Sequence, residues 1–183
     1  MIHQVKLCLY HGGKINHDNC IGFEPGFNVI IGPNRSGKTE ILEALTKCGY
    51  CDITKDDSTK IAYLSTEFLN PNLGEGRGSL NRKVLQARAM FCSHGESIQE
   101  VLKYHEHNNE NCFLVDEPET GQDEENMLRV YEGLQRLANK GKQVIIASHE
   151  PIFWRDSNII ELEKSYKEKV MKSRREFYRD SSR

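Results

Sequence analysis

No stretch of this 183-residue sequence stays apolar for the roughly 20 residues that a helix needs to cross a bilayer. Its opening, MIHQVKLCLY, lacks a basic flank followed by an apolar run, so a secretory leader is not expected. A cytoplasmic location follows unless a partner holds the chain elsewhere. The six cysteines, Cys8, Cys20, Cys48, Cys51, Cys92 and Cys112, lack the framework spacing of a small secreted domain, and reduced thiols are expected. Internal repeats, low-complexity tracts and sustained heptads are missing too, which removes solenoids and long coiled coils. The length allows one ordinary domain and is too short for two.

Charge is uneven although the net value is only −2. Residues 164–183 hold eight Lys or Arg against three Asp or Glu, so the negative balance lies wholly in residues 1–163. We therefore expect one domain over 1–163 and a separate basic amphipathic segment over 164–183.

Within the domain, apolar patterning predicts strands over Ile2 to Tyr10 and Asn28 to Ile31, with a loop rich in Gly, His and Asn from His11 to Cys20 between them. Ile41, Leu42, Ala44 and Leu45 recur at helical spacing until the pattern fades near Gly49. Residues 52–60 read as polar and charged, Ile61 to Leu64 as a short strand, and Asn70 to Asn81 as a glycine-bearing loop. A helix is expected from about Gly95, then a strand over Cys112 to Val115. Met127, Val130, Tyr131, Leu134 and Leu137 mark another helix, and Val144 to Ala147 and Ile159 to Leu162 two more strands. Strands alternating with helices predict an α/β fold with a mostly parallel central sheet.

Four short motifs carry chemistry. Gly32, Pro33, Asn34, Arg35, Ser36, Gly37, Lys38 and Thr39 fit GxxxxGK[ST], the phosphate-binding P-loop. Phosphate oxygens need convergent donors at close range, which a glycine turn feeding a helix N-terminus supplies as backbone N–H groups and the positive dipole end. Lys38 is expected to reach the β- and γ-phosphates of ATP and the Thr39 hydroxyl to take one magnesium position. Downstream, an apolar strand ends in Asp116 and Glu117 and is expected beside the P-loop. There Asp116 would hold magnesium through water, and Glu117 would polarise the attacking water.

Ser93, His94, Gly95, Glu96 and Ser97 open the expected helix and form a second anion-binding start. One copy needs only one P-loop, so this start is read as addressing ATP held by another copy. Finally, Val144 to Ser148 forms a strand ending in His149, whose imidazole is placed to hydrogen-bond the γ-phosphate.

In this order the four motifs resemble the ABC-type ATPases, most closely the branch that includes DNA-repair and chromosome-maintenance ATPases and small stand-alone relatives. The resemblance covers residues 2 to 162. It implies an α/β P-loop NTPase fold with an ABC-ATPase-like nucleotide-binding domain, ATP and Mg2+ as cofactors, and a head-to-tail homodimer sandwiching two ATP molecules. Carried over by position, Ser93, Gly95 and Glu96 would contact ATP across the dimer, Glu117 would be the catalytic base and His149 the switch histidine. Asp123 matches the family's D-loop only at its last residue. Arg35 stands where many relatives have glycine. The glutamine that the family places after a middle strand is replaced here by Ser65, Thr66 and Glu67, which makes Glu67 or Ser65 the candidate for that task. Tyr10 is the first candidate for stacking on adenine, with a plain core tyrosine the alternative.

Fifty-three residues separate Thr39 from Ser93, short for a transporter ATPase's helical subdomain, and a reduced helical subdomain is expected. The process implied is DNA repair, recombination or anti-phage defence, with an effector protein as possible partner. An assembly module with little turnover is the alternative, and a transporter ATPase subunit a weaker one. Tyr166, Val170, Phe177 and Tyr178 share one helical face of the basic segment with Met171 at its edge, suited either to nucleic acid or to packing on the domain. Cys48 and Cys51 form a CxxC, which half-completes a metal or redox site; Cys20, His105 and His107 are candidates to complete it.

Overall fold

The computed structural model describes residues 1–15, 18–65, 102–103 and 106–180. The P-loop strand β3 (Phe27–Ile31) is an inner strand of a five-stranded parallel sheet. Its companions are β5 (Ile61–Ser65), β6 (Cys112–Asp116), β7 (Gln143–Ala147) and β8 (Asn158–Glu161), in the order β5-β6-β7-β3-β8. This is the parallel sheet expected from the alternation of apolar strands and helices. A second sheet is antiparallel, β2-β1-β4, from β1 (Ile2–Lys6), β2 (Cys20–Gly22) and β4 (Asp52–Lys55).

The inner strands β3, β6 and β7 are buried on both faces, and successive residues divide between two apolar layers as the pleat requires. Ile30, Leu114, Ile145 and Ala147 face the layer built with β1, β2 and α2 (Lys38–Lys47). Val29, Ile31, Phe113, Val115, Val144 and Ile146 face the layer built with α3 (Glu124–Asn139). Two buried amides tie the edges together. Gln143 accepts the Ile2 N–H at 2.7 Å and donates to the Ile2 carbonyl at 2.7 Å, joining the two sheets. Asn28 accepts the Glu24 N–H and donates to the Glu24 carbonyl, both at 2.8 Å.

Two expectations need correction. The first strand stops at Lys6, not Tyr10, and residues Leu9–Gly12 form a helical turn, α1. The apolar Leu9 and aromatic Tyr10 that prolonged the pattern are solvent-exposed. Polar residues 52–60 contain β4, which pairs antiparallel with β1; only the inner side of this edge strand needs an apolar residue, and Ile53 supplies it. The end of β6 lies beside the P-loop as expected, Thr39 bonding Asp116, although β7 stands between β6 and the P-loop strand.

The basic segment forms a helix, α4 (Tyr166–Asp180). Tyr166, Val170 and Met171 pack against the α3-side layer, whereas Phe177 and Tyr178 are exposed. Among the described residues no helix is long and apolar enough to cross a membrane.

Candidate functional site

The carboxyl ends of β3, β6 and β7 meet at one edge of the sheet, where open α/β folds bind ligands. Beyond β3 the chain turns through Gly32 to Gly37 into α2. Arg35 adopts φ 65° and Gly37 φ 94°, so the loop needs two left-handed residues, one of them borne by a non-glycine. At Gly37 a Cβ would lie 2.1 Å from Ile15 Cγ2, and at Gly32 it would lie 2.5 Å from Ser36 Oγ. Glycine is required at position 37 by this contact together with its left-handed φ, whereas at position 32 the Ser36 hydroxyl would have to turn away.

Lys38 is buried at 4% exposure, and its ammonium donates to the carbonyls of Gly32 at 3.1 Å and Pro33 at 3.2 Å. Burial lowers its pKa, while Glu117, Glu119 and Asp116 oppose that change. A buried ammonium curled over its own loop is held ready for an anion. The Ser36 hydroxyl oxygen is buried with no hydrogen-bond partner among the described residues, a further donor of the kind a phosphate would engage.

Thr39, the second residue of α2, bridges to β6 across the intervening strand: its hydroxyl donates to Asp116 Oδ1 at 3.1 Å. Tyr63 on β5 donates to Asp116 Oδ2, also at 3.1 Å. Burial raises the Asp116 pKa, with the Thr39 and Tyr63 hydrogen bonds pulling the other way. Two hard oxygen ligands held this close fit one side of a magnesium site, and Thr39 and Asp116 are the residues that would hold the ion.

Glu117 follows in the left-handed region at φ 43°. Its N–H donates to the Ala147 carbonyl at 2.9 Å, which fixes the strained turn against the end of β7. Glu119, two residues on, is buried. Its Oε1 accepts the Ser148 hydroxyl at 2.9 Å and the His149 N–H at 3.0 Å, and lies 3.1 Å from His149 Nδ1. Burial raises its pKa. Glu119 thus holds the chain after β7, with the imidazole beside it; sequence reasoning missed it, although a third acid after Asp116 and Glu117 was a visible signal. Tyr63 was missed as well, being indistinguishable in sequence from a core strand residue.

The structure brings together Lys38, Thr39, Asp116, Glu117 and His149. Ser93, Gly95, Glu96 and Glu67 lie outside the described residues, as do Thr66, His105 and the expected helical start near Gly95. Ser65 pairs in register with Asp116, and its side chain is also outside the described set. Asp123 caps α3, its carboxylate accepting the Asn126 N–H at 2.8 Å. Tyr10 is exposed, with Lys14 Nζ 4.1 Å from its ring centroid.

A P-loop entering α2, an acidic pair closing β6 and a histidine after β7 define the nucleotide-binding core of an ABC-type P-loop ATPase. The chain matches the AAA domain family over residues 10–179 and belongs to that family. It is 30% identical over 112 residues to the DNA replication and repair protein RecF of Moorella thermoacetica, an alignment that takes in 58% of this chain and 24% of that protein. The chain thus spans about a quarter of that relative's length. Its fold is similar to the dimeric ATP-binding cassette MJ0796 bound to ADP and Pi, with TM-score 0.53 and 19% identity over 81% of this chain and 86% of that one. It is also similar to a nucleotide-free ATP-binding cassette from an ABC transporter, with TM-score 0.51 and 16% identity over 88% and 87% of the two chains.

Proposed function

We propose that this chain binds ATP with magnesium and hydrolyses it, two copies closing head to tail around two nucleotides, and that this cycle drives or licenses a partner in DNA repair or recombination. The observation that carries the proposal is the 3.1 Å bond from Thr39 to Asp116, which joins the P-loop helix to the acidic strand beside a buried lysine. The similarity to RecF supports the repair setting, and the dimeric cassette supports the paired arrangement. The six basic residues of α4 make it the surface for nucleic acid on this reading.

On this reading the Lys38 ammonium exchanges two neutral carbonyl acceptors for phosphate oxygens, whose charge offsets the cost of its burial. Thr39 and Asp116 would hold magnesium, which when bound would offset charge on the β- and γ-phosphates. Glu117 accepts a proton from the attacking water. His149, its Nδ1 beside the Glu119 carboxylate, offers Nε2 to the γ-phosphate. Ser93, Gly95 and Glu96 are assigned to the nucleotide of the other copy.

Light scattering tests the paired arrangement. The Glu117→Gln variant with Mg-ATP is expected to run at twice the monomer mass, and to return to the monomer with ADP. A monomer in both conditions, with ATP bound, would contradict the closure.

A further inference from the structure

The CxxC motif has partners other than those expected. Cys20 lies exposed on the antiparallel sheet, where the Gln4 amide donates to its sulfur, and His105 is outside the described residues. Instead, Cys48 at the end of α2 and Cys51 before β4 face Cys8 and His11 from α1. All four ligand atoms lie within 4.8 Å of one another. We propose that Cys8, His11, Cys48 and Cys51 form a structural zinc site.

The separations are those of a tetrahedron. Bonds of about 2.3 Å to sulfur and about 2.05 Å to nitrogen place two sulfurs about 3.8 Å apart and a sulfur and a nitrogen about 3.5 Å apart. The Cys8 and Cys48 sulfurs are 3.9 Å apart, and His11 Nδ1 lies 3.3 Å from the Cys8 sulfur and 3.5 Å from that of Cys51. A disulfide needs about 2.05 Å, so Cys8 and Cys48 are unbonded.

Local backbone geometry supports the same set. The pattern is C-x-x-H followed by C-x-x-C, two short turns that each present both ligands on one side. Backbone N–H groups are donated to sulfur, from Cys8 to Cys51 at 3.3 Å and from Tyr50 to Cys48 at 3.4 Å. Such bonds stabilise thiolates over thiols.

The outer contacts fit as well. Buried His11 turns Nδ1 to the sulfurs, while its Nε2 lies 4.0 Å from Glu40 Oε2. That carboxylate oxygen is buried and makes no hydrogen bond among the described residues, and Glu40 Oε1 accepts from Lys14. A carboxylate behind a ligating imidazole fixes its tautomer and raises its basicity. Three thiolates and one imidazole favour zinc, and four protein ligands leave no open position, which marks a structural rather than catalytic site. The ion would fasten α1 to both the start of α2, through Glu40, and its end, through Cys48.

The test is metal analysis of the full chain purified in reducing buffer without chelator. About one zinc per chain is expected, retained on dialysis and released when the thiols are titrated with an organomercurial. Apoprotein refilled with cobalt should show a thiolate-to-cobalt charge-transfer band and intense tetrahedral d–d bands. Cys20→Ser should keep both signatures, and Cys48→Ser should lose them. Should Cys48→Ser fail to fold, the cobalt titration of the unaltered chain decides alone. Reduced protein that is metal-free and gives no cobalt charge-transfer band would overturn the proposal, as would a Cys8–Cys48 disulfide in freshly isolated protein.

Discussion

At the scale of single residues, the P-loop was fully legible because its chemistry forces residue types. Gly37 adopts a left-handed φ and has Ile15 against the space a Cβ would take, and the P-loop pattern puts Lys38 and Thr39 directly after it. Asp116 illustrates what such a site costs in stability. Burial raises its pKa, so the stabilisation linked to its protonation is complete below the ordinary carboxylate range and is lost as pH rises through the elevated value. The nucleotide-free Asp116→Asn variant should therefore be about 1 kcal/mol more stable than the unaltered chain at neutral pH, a gain that shrinks as pH falls through that value. Thermal melts across a pH series check this, and an unchanged or lower melting temperature at neutral pH would count against it. Glu119 escaped detection for a physical reason: its role comes from accepting bonds from Ser148 and His149, thirty residues away, and no local spacing encodes that partnership. Cys8 and His11 escaped similarly, Cys8 within a stretch whose apolar neighbours read as strand and His11 at the start of one that read as loop.

Among the elements, the five parallel strands were read correctly in kind, since each segment carries a compact apolar run and the inner three are buried on both faces. The antiparallel sheet was harder. Its members are short, half-exposed and partnered over long sequence distance, as β1 with β4, so their hydrophobic signal is weak. The basic segment shows how one helical face can serve two ends. Near its start, Tyr166 stands against Trp154, ring centroids 6.3 Å apart, and Val170 and Met171 continue the apolar contact. One turn further, Arg174 donates to Glu150 at 2.8 Å, next to His149. Removing residues 164–183 is therefore expected to lower stability by about 3 kcal/mol through exposed apolar area. Urea denaturation of the shortened chain measures it, and an unchanged midpoint would show that the helix contributes nothing to the domain.

On the scale of the whole molecule, three strand ends of one parallel sheet collect a lysine, a hydroxyl, two acids and a histidine that are scattered over more than a hundred positions of sequence. Strand order supplies what no motif states: β7 stands between β3 and β6, so the P-loop helix must reach across it, and Thr39 does so to Asp116. The antiparallel sheet packs against α2 from outside, and the Cys8, His11, Cys48 and Cys51 cluster sits where that sheet meets the helix. The fold thus holds α2 at both ends, by the P-loop and acidic strand at one and by the cysteine cluster at the other.

The most direct test is phosphate release from Mg-ATP by the unaltered chain and by Glu117→Gln, with ATP binding measured alongside. Loss of a positioned base should slow turnover by about 10²–10⁴-fold while nucleotide affinity stays within a few-fold. Turnover by Glu117→Gln at the unaltered rate would contradict the account, as would an unaltered chain that binds no ATP.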